Sequence, residues 1–223
     1  MKTLVFDTSS IISLVTNDLL HVIPDLKQLF NGEFCIPESV RVELVDKPLA
    51  SKKYKLEAMM INGVINTGIF QVNKSLDVDF LLNIVNNIYS AKDKPIHILD
   101  RAEIEAVALA VKLNSLAYVV DERTMRLLVE DPAKLGRVLS KKLHTKITMN
   151  TKLLKLFKKN INKVKIIRST ELMTVAFEKG LLDKYIVGFD KKEAIDAILW
   201  GLRLRGCAIS SEETADIIKI TKN

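Results

Sequence analysis

Asp7, Glu43, Glu103, Glu105, Asp121 and Glu122 are acids at points where a folded chain could gather them. Asp7 ends the apolar run Leu4-Val5-Phe6, Glu43 lies in Ser-Val-Arg-Val-Glu-Leu, and Glu103 and Glu105 stand two apart. Asp121-Glu122 follows the run Leu116–Val120. Carboxylates confined within a few ångströms repel one another, and a divalent cation relieves that repulsion. Mg²⁺ and Mn²⁺ take oxygen ligands, lower the pKa of bound water and neutralise phosphate charge, which is what phosphodiester hydrolysis needs. Taken singly, each acid has an ordinary use as a cap, a turn residue or an exposed helix charge.

The elements that must position them are readable from periodicity. Leu4, Val5 and Phe6 predict a short strand, and Thr8, Ser9 and Ser10 offer cap hydroxyls for an apolar helix over Ile11–Leu20. Phe34, Cys35 and Ile36 repeat the pattern, with Pro37 ending the strand and Ser39 capping a short helix that carries Glu43. A helix over Leu49–Asn62 stopped by Gly63, a strand over Ile69–Val72 and a helix over Leu76–Tyr89 follow. Ile104, Val107, Ala108 and Val111 recur at helical spacing and predict an amphipathic helix over Arg101–Leu113, with Glu103 and Glu105 on its flanks. Leu116–Val120 reads as a strand, followed by Lys-rich helices over Ala133–Thr145 and Asn150–Asn160 and a last strand over Val164–Ile167. A helix stopped by Gly180 and two tail helices complete the chain, the latter capped by Asp190 and Ser210, each with Glu three residues on. Short apolar strands alternating with helices predict an α/β fold around a buried parallel sheet. Function in such sheets gathers at the carboxyl ends of the strands, where Asp7 and Asp121 both lie.

A chain of 223 residues with 48% hydrophobic content can bury one substantial core, and no Gly-, Ser- or Pro-rich stretch marks a linker. The net charge of +7 favours a polyanionic partner, and its distribution is uneven. Lys134–Lys165 contains no Asp or Glu, and Arg137, Lys141, Lys142, Lys146, Lys152, Lys155, Lys158 and Lys159 are candidate nucleic-acid contacts there. The other reading of that segment is a solvated helical hairpin. The N-terminus offers neither a secretory signal nor a membrane span, and Cys35 and Cys207 read as buried thiols, so a cytoplasmic location is expected. His21, His97 and His144 lack partners at metal or acid–base spacing. No Gly-rich phosphate loop follows the first strand, which disfavours a nucleotide-binding or receiver domain.

In order and spacing, Val5-Phe6-Asp7-Thr8-Ser9, then Glu43, then Ala102-Glu103-Ile104-Glu105-Ala106-Val107-Ala108-Leu109-Ala110, then Val120-Asp121-Glu122-Arg123-Thr124-Met125-Arg126 resemble the motifs of PIN-domain nucleases. The resemblance runs to about Arg126, resumes at Lys163, and extends to the tail segment 202–210. It implies a three-layer α/β/α fold with a nuclease domain over 1–185, a basic helical insertion over about 127–162, and a C-terminal helical extension over 186–223 packed on the same domain. It also implies a metal-dependent endoribonuclease using Mg²⁺ or Mn²⁺, acting on RNA in preference to DNA. Asp7, Glu43, Glu105 and Asp121 would form the catalytic, metal-binding quartet, with Thr8 or Ser9 hydrogen-bonding nearby and Glu103 and Glu122 as additional candidates. Acids two residues apart on a helix point about 200° apart, so only one faces the metal, and Glu105 is preferred to Glu103. Asp121 is preferred to Glu122 because it ends the strand. A homodimer and a small antitoxin or assembly partner are candidate associations, a toxin being one option within the family. The rival reading is a catalytically silent PIN-like module for nucleic-acid binding or assembly.

Overall fold

The computed structural model describes residues 2–162 and 164–221, so Lys163 in the basic run lies outside the described residues. The chain opens with β1 (Thr3–Phe6), α1 (Thr8–Thr16), a 3₁₀ turn (Leu20–Val22), α2 (Ile23–Phe30), β2 (Glu33–Pro37) and α3 (Glu38–Arg41). A π-helical stretch, Val42–Asp46, carries α3 into α4 (Lys47–Leu49), and α5 (Lys55–Asn66), β3 (Phe70–Asn73) and α6 (Asp79–Val85) follow. Then come β4 (Tyr89–Ala91), β5 (Lys94–Pro95), α7 (Arg101–Lys112), β6 (Ala117–Val119), α8 (Arg123–Glu130) and α9 (Pro132–Leu143). β7 (Ile147–Met149), α10 (Thr151–Asn160), β8 (Ile166–Ile167) and α11 (Ser169–Glu178) lead through a 3₁₀ turn (Asp183–Tyr185) to α12 (Lys191–Leu204) and α13 (Ser211–Ile220).

Five strands form a parallel sheet in the order β3-β2-β1-β6-β8, the centre of the expected three-layer α/β fold. The chain steps outward from β1 through β2 to β3, then crosses back so that β6 pairs with the other edge of β1. The crossovers therefore diverge between β1 and β6, the switch point at whose carboxyl ends sheets of this kind place their sites. α7 packs on β1, β2 and β6 and also against α3, so its side chains reach the same end of the sheet as β1. Val5, Phe6, Phe34, Ile36 and Val119 are fully buried, as a parallel sheet covered on both faces requires. The rings of Phe6 and Phe34 lie 4.9 Å apart and those of Phe6 and Phe70 5.1 Å apart, tying three strands together.

Several boundaries depart from expectation for identifiable reasons. The helix expected over Leu76–Tyr89 stops at Val85, because the Asn86 side chain accepts the Ile98 and Leu99 N–H groups and donates to the Leu99 carbonyl. Tyr89 instead enters a small antiparallel sheet, β5-β4-β7, where it pairs with Met149. Its hairpin turns through Lys92 and Asp93, both left-handed at φ 49° and 61°, as a two-residue turn between twisted strands demands. Gly63 lies inside α5, which begins at Lys55 and runs to Asn66, and α1 ends at Thr16, short of Leu20. Ser39 does not cap α3; Pro37 holds that position and Ser39 lies within the helix. The tail caps are as expected: Asp190 accepts the Lys192 and Glu193 amides, and Ser210 and Glu213 form a reciprocal box. Cys35 and Cys207 are free and buried. Among the described residues no helix is long and apolar enough to cross a membrane.

Phe34 touches the aromatic side chains of three neighbouring elements, Phe6, Phe30 and Phe70. Phe34→Ala is expected to lower the unfolding free energy by about 3–5 kcal/mol in a urea titration. A loss below about 1 kcal/mol would contradict this packing.

Candidate active site

Asp7 is the first residue past β1, and its backbone is extended there, so its side chain turns back to cap α1. Oδ2 accepts the Ser9 N–H at 3.0 Å and the Ser9 hydroxyl at 2.5 Å, while Oδ1 accepts the Tyr118 hydroxyl at 3.2 Å. The same Ser9 oxygen accepts the N–H groups of Asp121 at 3.0 Å and Glu122 at 3.1 Å. One hydroxyl thus joins the tips of β1 and β6. Asp7 is buried, and burial pushes its carboxyl above the ordinary range; the Ser9 and Tyr118 hydrogen bonds oppose that rise and the Glu43 charge adds to it.

Glu43 lies in the π-helical stretch after α3, a local widening of the helix often found at functional sites. Thr8 donates its hydroxyl to Glu43 Oε2 at 2.8 Å, so the residue after Asp7 holds this second acid. Glu103, at the third position of α7, accepts the Asp100 N–H at 2.8 Å in a reciprocal capping box. Its carboxyl is pushed up to about 8, mainly by burial and further by the charges of Asp7, Glu122 and Asp100, against the lowering effect of the Asp100 amide. Glu122 caps α8 by accepting the Met125 N–H and the Thr124 hydroxyl. Tyr118, buried in β6, feels the charges of Asp7, Glu103 and Glu122 together, and burial with these charges raises its hydroxyl. Periodicity did not single it out, although a tyrosine in the continuous apolar run of β6 was a visible signal.

Glu105 and Asp121 are occupied differently. Glu105 is buried on another side of α7 with Arg101 at 4.0 Å, and its Oε2 has no hydrogen-bond partner. Asp121 spends both oxygens on α11, accepting the Ser169 N–H at 2.8 Å and the Ser169 hydroxyl at 2.6 Å. Glu103 feels the charges of Asp7 and Glu122, while the Asp121 amide shares the Ser9 hydroxyl with the Asp7 carboxylate. Glu105 lies on another side of α7 from Glu103, and Asp121 is held by the start of α11.

A family model described as a PIN domain matches residues 3–131. The chain belongs to the PIN-domain family. Searches of curated proteins and of solved structures return no match. The PIN match takes in every acid discussed above and ends one residue before α9, leaving the basic helices outside it. Of their candidate contacts, Arg137, Lys141, Lys142, Lys146, Lys152, Lys155 and Lys159 are exposed. Lys158 is half-buried and donates to the Val129 carbonyl at 2.9 Å, so its ammonium serves the packing of α10 on α8.

The donor set suits a hard divalent cation: oxygen ligands only, with the Asp7 carboxyl raised by burial and the Glu43 charge and the Glu103 carboxyl raised by burial and the Asp7 charge. Among the described residues no three acids converge closely enough to hold an ion as they stand.

Ser9→Ala leaves a buried carboxylate and two amides short of a partner, and is expected to cost about 1–3 kcal/mol of unfolding free energy; an unchanged urea midpoint would contradict the bridging role. Without divalent cation, Glu103 keeps its proton in the folded state up to about 8, whereas the unfolded side chain releases it near its ordinary value of 4.5. Stability is fully present below the lower value and falls as pH rises through the upper one. The EDTA-treated protein should lose stability across that window, with a shallower slope in Glu103→Gln; identical slopes would contradict the assignment.

Proposed function

We propose that this PIN protein is a metal-dependent endoribonuclease that hydrolyses RNA phosphodiester bonds, with Asp7, Glu43, Glu103 and Glu122 as the acids that would hold Mg²⁺ or Mn²⁺. What supports the reading is the gathering of these acids about the tips of β1 and β6, where Ser9 ties Asp7 to the Asp121 and Glu122 amides, Thr8 holds Glu43, and burial with neighbouring charge raises Asp7 and Glu103. A bound cation would supply a water of lowered pKa and charge neutralisation on the phosphate. The chain's own part is positional: Ser9 and Tyr118 fix Asp7, Thr8 holds Glu43, and Glu103 and Glu122 rest in helix-capping bonds that they would exchange for the cation. The exposed cations of α9 and α10 would hold backbone phosphates without reading sequence. In this reading residues 1–185 are the nuclease domain and 186–223 a packed extension, supported by the burial of Ala194, Ile195, Leu199 and Leu202 in the common core.

The test is incubation with labelled single-stranded RNA and matched DNA, with Mn²⁺ or Mg²⁺ against EDTA. Metal-dependent cleavage of RNA is expected, reduced roughly a hundredfold or more in Asp7→Asn and Glu103→Gln, since even partners of metal ligands cost 10- to 100-fold. Salt-sensitive RNA binding with no cleavage under either metal would instead make the protein a silent binding module.

A further inference from the structure

Next to the carboxylates, α1, α4 and α5 enclose a cavity of about 280 Å³. Ile12, Pro48 and Tyr54 form apolar parts of its wall, Glu57 and Arg205 supply polar edges, and Glu43 is shared with the acid cluster. Arg205 is held at the rim by donating to the Thr16 carbonyl at 2.8 Å. Tyr54 lies at the mouth with 55% of its surface exposed, in a left-handed conformation at φ 61° that a bulky side chain rarely adopts. Such backbone outliers cluster at ligand clamps. Lys52, Lys53 and Lys55 flank the ring in sequence and are exposed, as is Lys47, and the Lys53 ammonium lies 4.8 Å from the ring centroid. With Lys53 over one face, the exposed ring leaves its other face for an unpaired base to stack on, while the cations follow the phosphates. The cores of protein–protein interfaces are, by contrast, depleted in lysine.

We infer that this cavity takes one unpaired base of a single-stranded nucleic acid, stacked on Tyr54 with Lys52, Lys53 and Lys55 on the flanking phosphates. Glu57 and Arg205 meet the edge of the base, and the wall shared at Glu43 sets the next phosphate against the acid cluster. The position of the cut relative to that base rests on the nuclease reading; the capture of the base does not.

The full-length protein in EDTA is titrated into a labelled single-stranded oligoribonucleotide containing 2-aminopurine, following anisotropy and fluorescence quenching together. Tyr54→Ala should weaken binding about tenfold and abolish quenching, whereas Tyr54→Phe retains both. Replacing Lys52, Lys53 and Lys55 by Ala should flatten the log–log salt slope by about 2, at roughly 0.7 per phosphate contact on a single strand. Wild-type affinity and quenching in a folded Tyr54→Ala protein would overturn the inference. So would a Tyr54→Ala protein that changes from dimer to monomer in light scattering with RNA affinity intact, since the exposed Leu56 and Met59 of α5 would then mark a self-interface. Cleavage, scored separately with metal, tells the two readings apart: Tyr54-dependent binding without cleavage fails only the nuclease, and cleavage with Tyr54-independent binding fails only the base cavity.

Discussion

A buried carboxylate at the point where the sheet reverses its winding organises the rest of this molecule. Asp7 leaves β1 buried, and it is held there by Ser9 and Tyr118, which donate to it from two different elements. The Ser9 hydroxyl also accepts the two amides that follow β6, extending past the strand ends the ladder that pairs β1 with β6. Burial raises the cost of the Asp7 charge, and the nearby acids raise it further. The fold thus keeps an electrostatic tension at these strand tips that neutral packing would have removed, and a cation is the species that would relieve it.

The parts of this arrangement that were legible in the sequence are the local ones. Asp7-Thr8-Ser9 after an apolar triplet announced both the strand end and the helix cap, and both are present. The choice between Glu103 and Glu105 was not legible, because α7 is wedged between the sheet and α3 and buries residues on most of its circumference. Val111, part of the expected apolar stripe, is 37% exposed, whereas Glu105 is buried. With no single apolar stripe, the helical phase that decides which acid faces Asp7 cannot be read from periodicity. The partner of Asp121 was not legible either: the Ser169 that bonds it lies 48 residues away in sequence and announces itself only as another helix start.

The parallel sheet and the three layers followed from the alternation of apolar runs, which is robust because both faces are covered. The small β5-β4-β7 sheet did not, since Tyr89 and Met149 meet only after α7, β6, α8 and α9 have folded between them. The Lys-rich helices were visible as composition, but which lysines are available to a ligand was not: Lys158 looks like its neighbours and is turned inward to a carbonyl. The basic aromatic segment around Tyr54 escaped notice because a single tyrosine among lysines carries no period; its relation to Glu43 appears only once α5 is packed beside the π-helical stretch.

The central claim is that the acids coupled to Asp7, and not their sequence neighbours, form a cation site. Calorimetric titration of Mn²⁺ into the wild-type protein and into Glu103→Gln and Glu105→Gln tests it most directly. The predicted result is saturable binding in the wild type and in Glu105→Gln, with binding weakened roughly tenfold or more in Glu103→Gln. Binding lost in Glu105→Gln and kept in Glu103→Gln, or equal in all three, would contradict it.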